Sequence, residues 1–249
     1  MYIVTMRSLE AQDVYWIGRQ MPKAVWETLL AQKRTLFLAG GYIRACVANE
    51  PPSDIDLFTG SKDSGLAAAV AMVAGGKGLR MVETDNAFTV LGFSVPVQFI
   101  HRWTFDDPAK CVESFDFTIA RAAVWFNDEK DDERHAILQS CCDDRFYSDL
   151  AAKRLIYCAP VRNEDAGGSM LRVLKFYQRG YRIPLDSLGA VMARMFEGVD
   201  SERLNNSAEF RNETHEHRMA KVLTGMLREV DPEIDPKHLA HLPCIRSGN

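Results

Sequence analysis

The sequence has no apolar run approaching the roughly 20 residues that a membrane-spanning helix needs. It has no C-x-x-C pair among its six cysteines, no internal repeat and no low-complexity tract. Nor is the composition that of a disordered chain, a collagen or a coiled-coil rod. An excess of charge of one sign is also missing. Thirty Lys and Arg face 34 Asp and Glu, for a formal net charge of -4. Nucleic acid wrapped over the whole surface is therefore excluded, while a local basic patch stays open. The opening Met1 to Arg7 lacks the order of basic region, apolar core and cleavage site, so no signal peptide and a cytoplasmic location are expected. In a chain of this length Cys46, Cys111, Cys141, Cys142, Cys158 and Cys244 need no disulfide framework and read as reduced thiols filling a core.

What is present is an ordinary globular balance. The 249 residues are 47% hydrophobic and 26% charged, enough for one large domain or two small ones. Apolar residues at helical spacing (Trp16, Ile17, Met21, then Val25, Leu29, Leu30) predict helices in the first thirty-odd residues. Thr35–Ala39 is a short apolar run stopped by Gly40 and Gly41 and reads as a buried strand, with a short helix over 42–49 after it. Residues 54–58 alternate polar and apolar as a half-buried strand. Ser61 caps a predicted helix over 62–74, and strands are expected at 79–83, 87–91 and 95–100. A short helix opens at Pro108 and a strand lies within 117–126. The acidic stretch 127–133 reads as a solvated turn, and 135–139 as the returning strand. After about residue 143 the pattern is helical, with Ser169 read as the cap of a helix ending at Arg179 before Gly180, and further helices near 187–197 and 207–229. The expected organisation is a mixed α/β head over 1–140 and an all-helical part over 141–249.

One stretch carries chemistry. Two glycines between a strand and a helix let a ligand approach the backbone closely. The helix start offers unpaired N–H groups and a partial positive charge, suited to phosphate. Arg44, in the first helical turn, can add a bidentate contact. Ten residues on, Asp54 and Asp56 fall on one face of a strand. Two adjacent carboxylates repel unless a cation lies between them, which suggests Mg²⁺. A phosphate cradle beside a paired-carboxylate metal site is what phosphoryl or nucleotidyl transfer needs.

These residues resemble the DNA polymerase β-like nucleotidyltransferase superfamily, and within it the head and neck domains of bacterial CCA-adding enzymes and poly(A) polymerases. Gly40, Gly41, Ile43, Arg44, Asp54, Asp56 and Thr59 match the opening motif, G-G-x-V-R-D followed by D-x-D-x-x-T. Asp116-Phe-Thr-Ile119 resembles the second motif. Asp149-Leu150, Glu164-Asp165, Leu171-Arg172 and Gly180–Ile183 resemble the neck. The resemblance implies an α+β fold: a nucleotidyltransferase head of mixed sheet and flanking helices, then a helical neck. It also implies two Mg²⁺ ions, an NTP substrate (ATP, CTP or both) and transfer of NMP to an acceptor, an RNA 3′ end. Gly40, Gly41, Arg44, Thr59, Glu164, Asp165 and Arg172 would bind the nucleotide, and Asp54 and Asp56 the metal.

The sequence departs from the family at Ala45, Phe115 and Ala120. Gly168 stands at the neck arginine position, or Ser169 if one residue is inserted. Gln98 stands near the third metal carboxylate and reads as either a neutral metal ligand or a strand-edge residue. Asp116 is open between third metal ligand, ribose contact and helix cap. Residues 151–182 carry seven Lys and Arg against two acids. Arg172, Lys175, Arg179 and Arg182 there read as either a solvated face or an acceptor-binding ridge interleaved with Phe176, Tyr177 and Tyr181. Gly75–Gly78 lacks phosphate-loop spacing and reads as a helix stop, and the histidines beyond 215 read as solvated. The rival functions are nucleotidylation of a small molecule or a protein side chain, and a binding module without turnover.

Overall fold

The computed structural model of the chain describes residues 5–130, 136–159, 166–206, 210 and 212–228. β2 (Leu36–Ala39) is buried at all four positions, as an uninterrupted apolar run requires of a central strand. It lies between β3 (Ile55–Thr59) and β7 (Ala122–Lys130), antiparallel to both. β6 (Val97–Ile100) runs parallel to β3. β5 (Ala87–Leu91) and β4 (Arg80–Glu83) complete that side. β8 (Ala136–Asp143) and the two-residue β1 (Met6–Arg7) complete the other. The order β1-β8-β7-β2-β3-β6-β5-β4 gives one mixed eight-stranded sheet, the α+β architecture expected.

Alternation along the strands sends their side chains to two unequal layers. Leu36, Leu38, Ile55, Leu57, Val97 and Phe99 join the larger cluster with Ile17, Val25, Leu29 and Ile43. Those four come from α1 (Ala11–Gln20), α2 (Lys23–Ala31) and α3 (Gly41–Ala48). α4 (Lys62–Gly75) adds Ala68 and Met72, and the Ser61 hydroxyl caps it by accepting from Ser64 N at 3.1 Å. Each large aliphatic side chain buried there contributes roughly 1.5–3 kcal/mol. On the opposite face, among the described residues, a smaller cluster of buried Phe37, Ala39, Phe58 and Ala123 lies beneath Cys111 and Val112 of α5 (Pro108–Glu113). That smaller layer leaves the start of β3 open as a cleft.

A short 3-10 helix (Thr118–Ala120) precedes β7. After β8 come α6 (Phe146–Ala151), α7 (Ala166–Gln178), α8 (Leu185–Glu197), α9 (Ser201–Asn206) and α10 (His215–Arg228). α7 packs against both α8 and α10. Gly180, at φ 87°, ends the α7 turn where the sequence indicated.

Several expected boundaries move. β7 continues to Lys130, into the stretch read as an acidic turn. β3 begins at Ile55, so Asp54 sits just before the strand. Ser169 lies inside α7 rather than at its cap, because its hydroxyl has a buried partner elsewhere. β1 and α9 were not expected from the pattern, each being too short to show a period. Cys46, Cys111, Cys142 and Cys158 are buried and Cys141 half-buried, all free. Burial pushes the thiols of Cys141, Cys142 and Cys158 up to about 12. Cys244 lies outside the described residues. Among the described residues no helix is long and apolar enough to cross a membrane.

Candidate active site

The turn from β2 into α3 builds one wall. Gly40 has φ 86° and ψ -132°, a conformation open to glycine. A Cβ there would also meet the Phe115 ring at 3.2 Å. Gly41 is different: it starts α3, a Cβ there would meet nothing within 4 Å, and it lines a cavity of about 250 Å³. The first turn of α3 thus faces the cavity with no side chain in front of its N–H groups.

Asp54 and Asp56 line the same cavity. Oδ1 of Asp56 is buried without a hydrogen-bond partner. Burial, then the Asp54 charge, push the Asp56 carboxyl well above the usual carboxylate range, and Lys175 and Arg172 pull it back. An orphaned carboxylate oxygen beside a second carboxylate fits a divalent cation. Among the described residues no group of three or more His, Cys, Asp or Glu could hold a metal ion. Gln98 stands in register with Asp56 on the neighbouring strand but does not line the cavity. Thr59 falls on the other face of β3, as alternation dictates, and donates to the Ser61 carbonyl at 2.7 Å. It does not line the cavity either.

The opposite wall comes from the helical part. Ser169, Arg172, Lys175, Phe176 and Arg179 line the cavity at helical spacing along and just past α7. Asp116 is buried, and its Oδ2 accepts from Ser169 Oγ at 2.8 Å and pairs with Arg172. Its carboxylate therefore ties α7 to the sheet side. Desolvation, with Arg179 and Arg44 nearby, lowers the Lys175 ammonium from its ordinary value, and Asp54 and Asp56 oppose this. Arg182 does not line the cavity: its guanidinium lies 4.9 Å over the exposed Tyr177 ring. Three of the four basic positions expected to form an outer ridge thus turn inward.

Arg44 is 2% exposed. It pairs with Glu50, lies 5.1 Å over the Phe176 ring and reaches the Tyr181 hydroxyl at 3.5 Å, while its Nε has no partner. It lines the cavity beside Gly41. Behind the Asp116 turn, fully buried Arg121 donates to the Phe115 carbonyl at 2.9 Å and the Glu113 carbonyl at 2.8 Å, and pairs with Asp143 at 3.4 Å. This clamp fixes the loop that carries Phe115 and Asp116 into the cavity.

Sequence reasoning missed Arg194 of α8, Trp103 and Tyr157, which also line the cavity. None belongs to a local motif; only Arg194 carried a signal, as the cation in the last turn of α8. Glu164 and Asp165 lie outside the described residues. A larger groove, about 670 Å³, runs between α1 and β8, but Arg19 is the one charged residue in its lining. It offers no chemistry comparable with the carboxylate pair.

A family model described as Gabija anti-defense 2 family protein matches residues 8–153. No curated protein matches the chain. Among solved structures, the Thermotoga maritima CCA-adding enzyme complexed with tRNA is similar at TM-score 0.54 and 17% identity, over 89% of this chain and 55% of that one. A CCA-adding enzyme complexed with ATP is similar at TM-score 0.55 and 19% identity, over 96% and 54%. One with CTP gives 0.52 and 17%, over 96% and 54%. The chain spans about half the length of these structures, and at such identity the likeness is one of fold.

Proposed function

The chain belongs to the Gabija anti-defense 2 family, and from that membership and its nucleotidyltransferase fold we propose that it transfers NMP from an NTP to an acceptor in counter-defence. One observation carries this reading. Asp54 and Asp56 share a cavity with the bare start of α3 and with Arg44, Arg172, Lys175, Arg179 and Arg194. Two carboxylates and a triphosphate repel one another unless cations neutralise them. Glu50 and Asp116 already balance Arg44 and Arg172, so the remaining side chains do not suffice and divalent ions are needed. Asp54 and Asp56 would hold Mg²⁺, which when bound activates the acceptor hydroxyl and screens the phosphates. The Gly41 backbone N–H and the Arg44 guanidinium would bind phosphate oxygens. Lys175 and Arg179 would hold the triphosphate against the aspartates, leaving the α-phosphorus in line between acceptor and pyrophosphate.

We take the nucleotide to be ATP or CTP, the ligands of two solved relatives in fold. The acceptor we favour is an RNA 3′ end. Arg182 stacked on exposed Tyr177 continues the basic face of α7 beyond the cavity, and such cation–aromatic pairs suit a single strand. The test is incubation with each α-labelled NTP, Mg²⁺ and total RNA, with intact-mass analysis of candidate protein acceptors alongside. Label should pass to RNA and vanish in Asp56→Asn. Label on protein would move the acceptor to a side-chain hydroxyl. Absence of NTP-dependent pyrophosphate release with every acceptor would sink the enzymatic reading. It would leave the second one, a nucleotide-binding module, which the neutral Gln98 beside the aspartates favours.

A further inference from the structure

A polar row continues past the aspartates. Gln98 on β6 is in register with Asp56 on β3, and Thr89 on β5 is in register with Gln98. Register partners project from the same face of a sheet, and adjacent strands lie about 5 Å apart. Asp56, Gln98 and Thr89 therefore form one line across three strands, with the amide in reach of both neighbours. Those neighbours share a defect. Thr89 is 1% exposed and its Oγ1 has no hydrogen-bond partner. Oδ1 of Asp56 is buried and equally alone. A buried hydroxyl left unpaired is costly, and its presence calls for a reason.

The structure assigns Thr89 as the positioning residue for Gln98 in the cation-bound state: Thr89 Oγ1, unpaired without a cation, would then accept from the Gln98 amide N–H and so hold Oε1 toward Asp56, as a neutral third donor to a divalent cation. The assignment rests on the reading of Asp54 and Asp56 as cation ligands. An amide has two opposite ends. Turned the other way, its NH₂ would donate to Asp56 Oδ1 and close the site to a cation. A hydroxyl at position 89 can take that NH₂, whereas a methyl cannot. A carboxylate at position 98 would need no such orientation, since both of its oxygens accept. Thr89 therefore matters to the cation only while residue 98 is Gln.

The test is Mn²⁺ binding without nucleotide, by calorimetry or by electron paramagnetic resonance of free Mn²⁺. The proteins are the parent, Thr89→Val, Gln98→Glu and the double variant, each also melted without metal. Thr89→Val should weaken Mn²⁺ binding about tenfold, the lower end for a lost partner of a metal ligand. Its metal-free melting temperature should stay the same or rise, because an unpaired buried hydroxyl has become a methyl. Beside Gln98→Glu the same change should cost about twofold or less. Thr89→Ser, which keeps the hydroxyl, should bind like the parent. Parental affinity in Thr89→Val, or an equal loss in both backgrounds, overturns the assignment. Parental Mn²⁺ binding that survives Asp54→Asn with Asp56→Asn, or no binding in the parent, overturns the aspartate reading itself and this inference with it.

Discussion

Gly40 and Gly41 are neighbours of one type with separable roles. Gly40 is required by its own backbone and by the Phe115 ring. Gly40→Ala should cost about 1–3 kcal/mol of stability through positive-φ strain alone. Gly41→Ala should melt at the parental temperature yet bind NTP several-fold more weakly, because its new methyl stands in open cavity. Thermal unfolding and NTP titration of both variants check this, and a stability loss at Gly41 would remove it from the cradle. Asp56 carries the second residue-scale prediction. Its carboxyl is raised in the folded state, by burial first and Asp54 second. For an acid the sign is then fixed: ionising it in the native state is a cost. That cost is absent below the unfolded carboxylate range and grows as pH rises through and above it. Without metal, Asp56→Asn should be more stable than the parent at pH 8 and nearly equal at about pH 3.5, below the unfolded value. Denaturant midpoints at both pH values measure the gap; a gap independent of pH would refute the argument.

At the scale of the element, α7 decides what its basic face can do. Positions 172, 175 and 179 fall toward the sheet, so those cations meet the carboxylates. Arg182, beyond the Gly180 turn, folds back over Tyr177. Lys175→Ala with Arg179→Ala should therefore weaken NTP binding and make it less salt-dependent. Arg182→Ala should spare NTP and flatten the salt dependence of RNA binding by about 0.7 per single-strand phosphate contact removed. Equilibrium binding across a salt series separates the two. If the double variant binds NTP as the parent does, the inward face of α7 is structural.

Side-chain contacts join the two walls of the cavity. Asp116 holds Ser169 and Arg172, and Arg44 meets Phe176 and Tyr181. A nucleotide between the walls touches both parts, so binding should stabilise them as one unit. With Mg²⁺ and NTP at 100 times Kd, stabilisation of about 2.7 kcal/mol is expected, read as one cooperative melt shifted upward. In Asp54→Asn with Asp56→Asn the Mg²⁺-dependent part of that shift should disappear. A shift retained in full there would place the cation elsewhere.

The sequence alone determined the glycine turn after β2 and the nearness of Asp54 and Asp56, since both depend on short-range rules. An apolar run ended by two glycines reads as a strand and a turn, and a spacing of two residues brings Asp54, just before β3, and Asp56 within it to one cavity. Alternation, carried three residues past Asp56, would have placed Thr59 on the other face. Tertiary structure alone decided the rest. Asp116 and Arg172 lie 56 residues apart in the chain. Arg194 reaches the cavity because α8 packs on α7. Gln98 gains its meaning from register with Asp56 and Thr89. Spacing along a chain specifies which side chains share a face. Which faces meet is specified by the packing of the sheet against α7, where burial and hydrogen bonding leave a polar group at one distant partner rather than another.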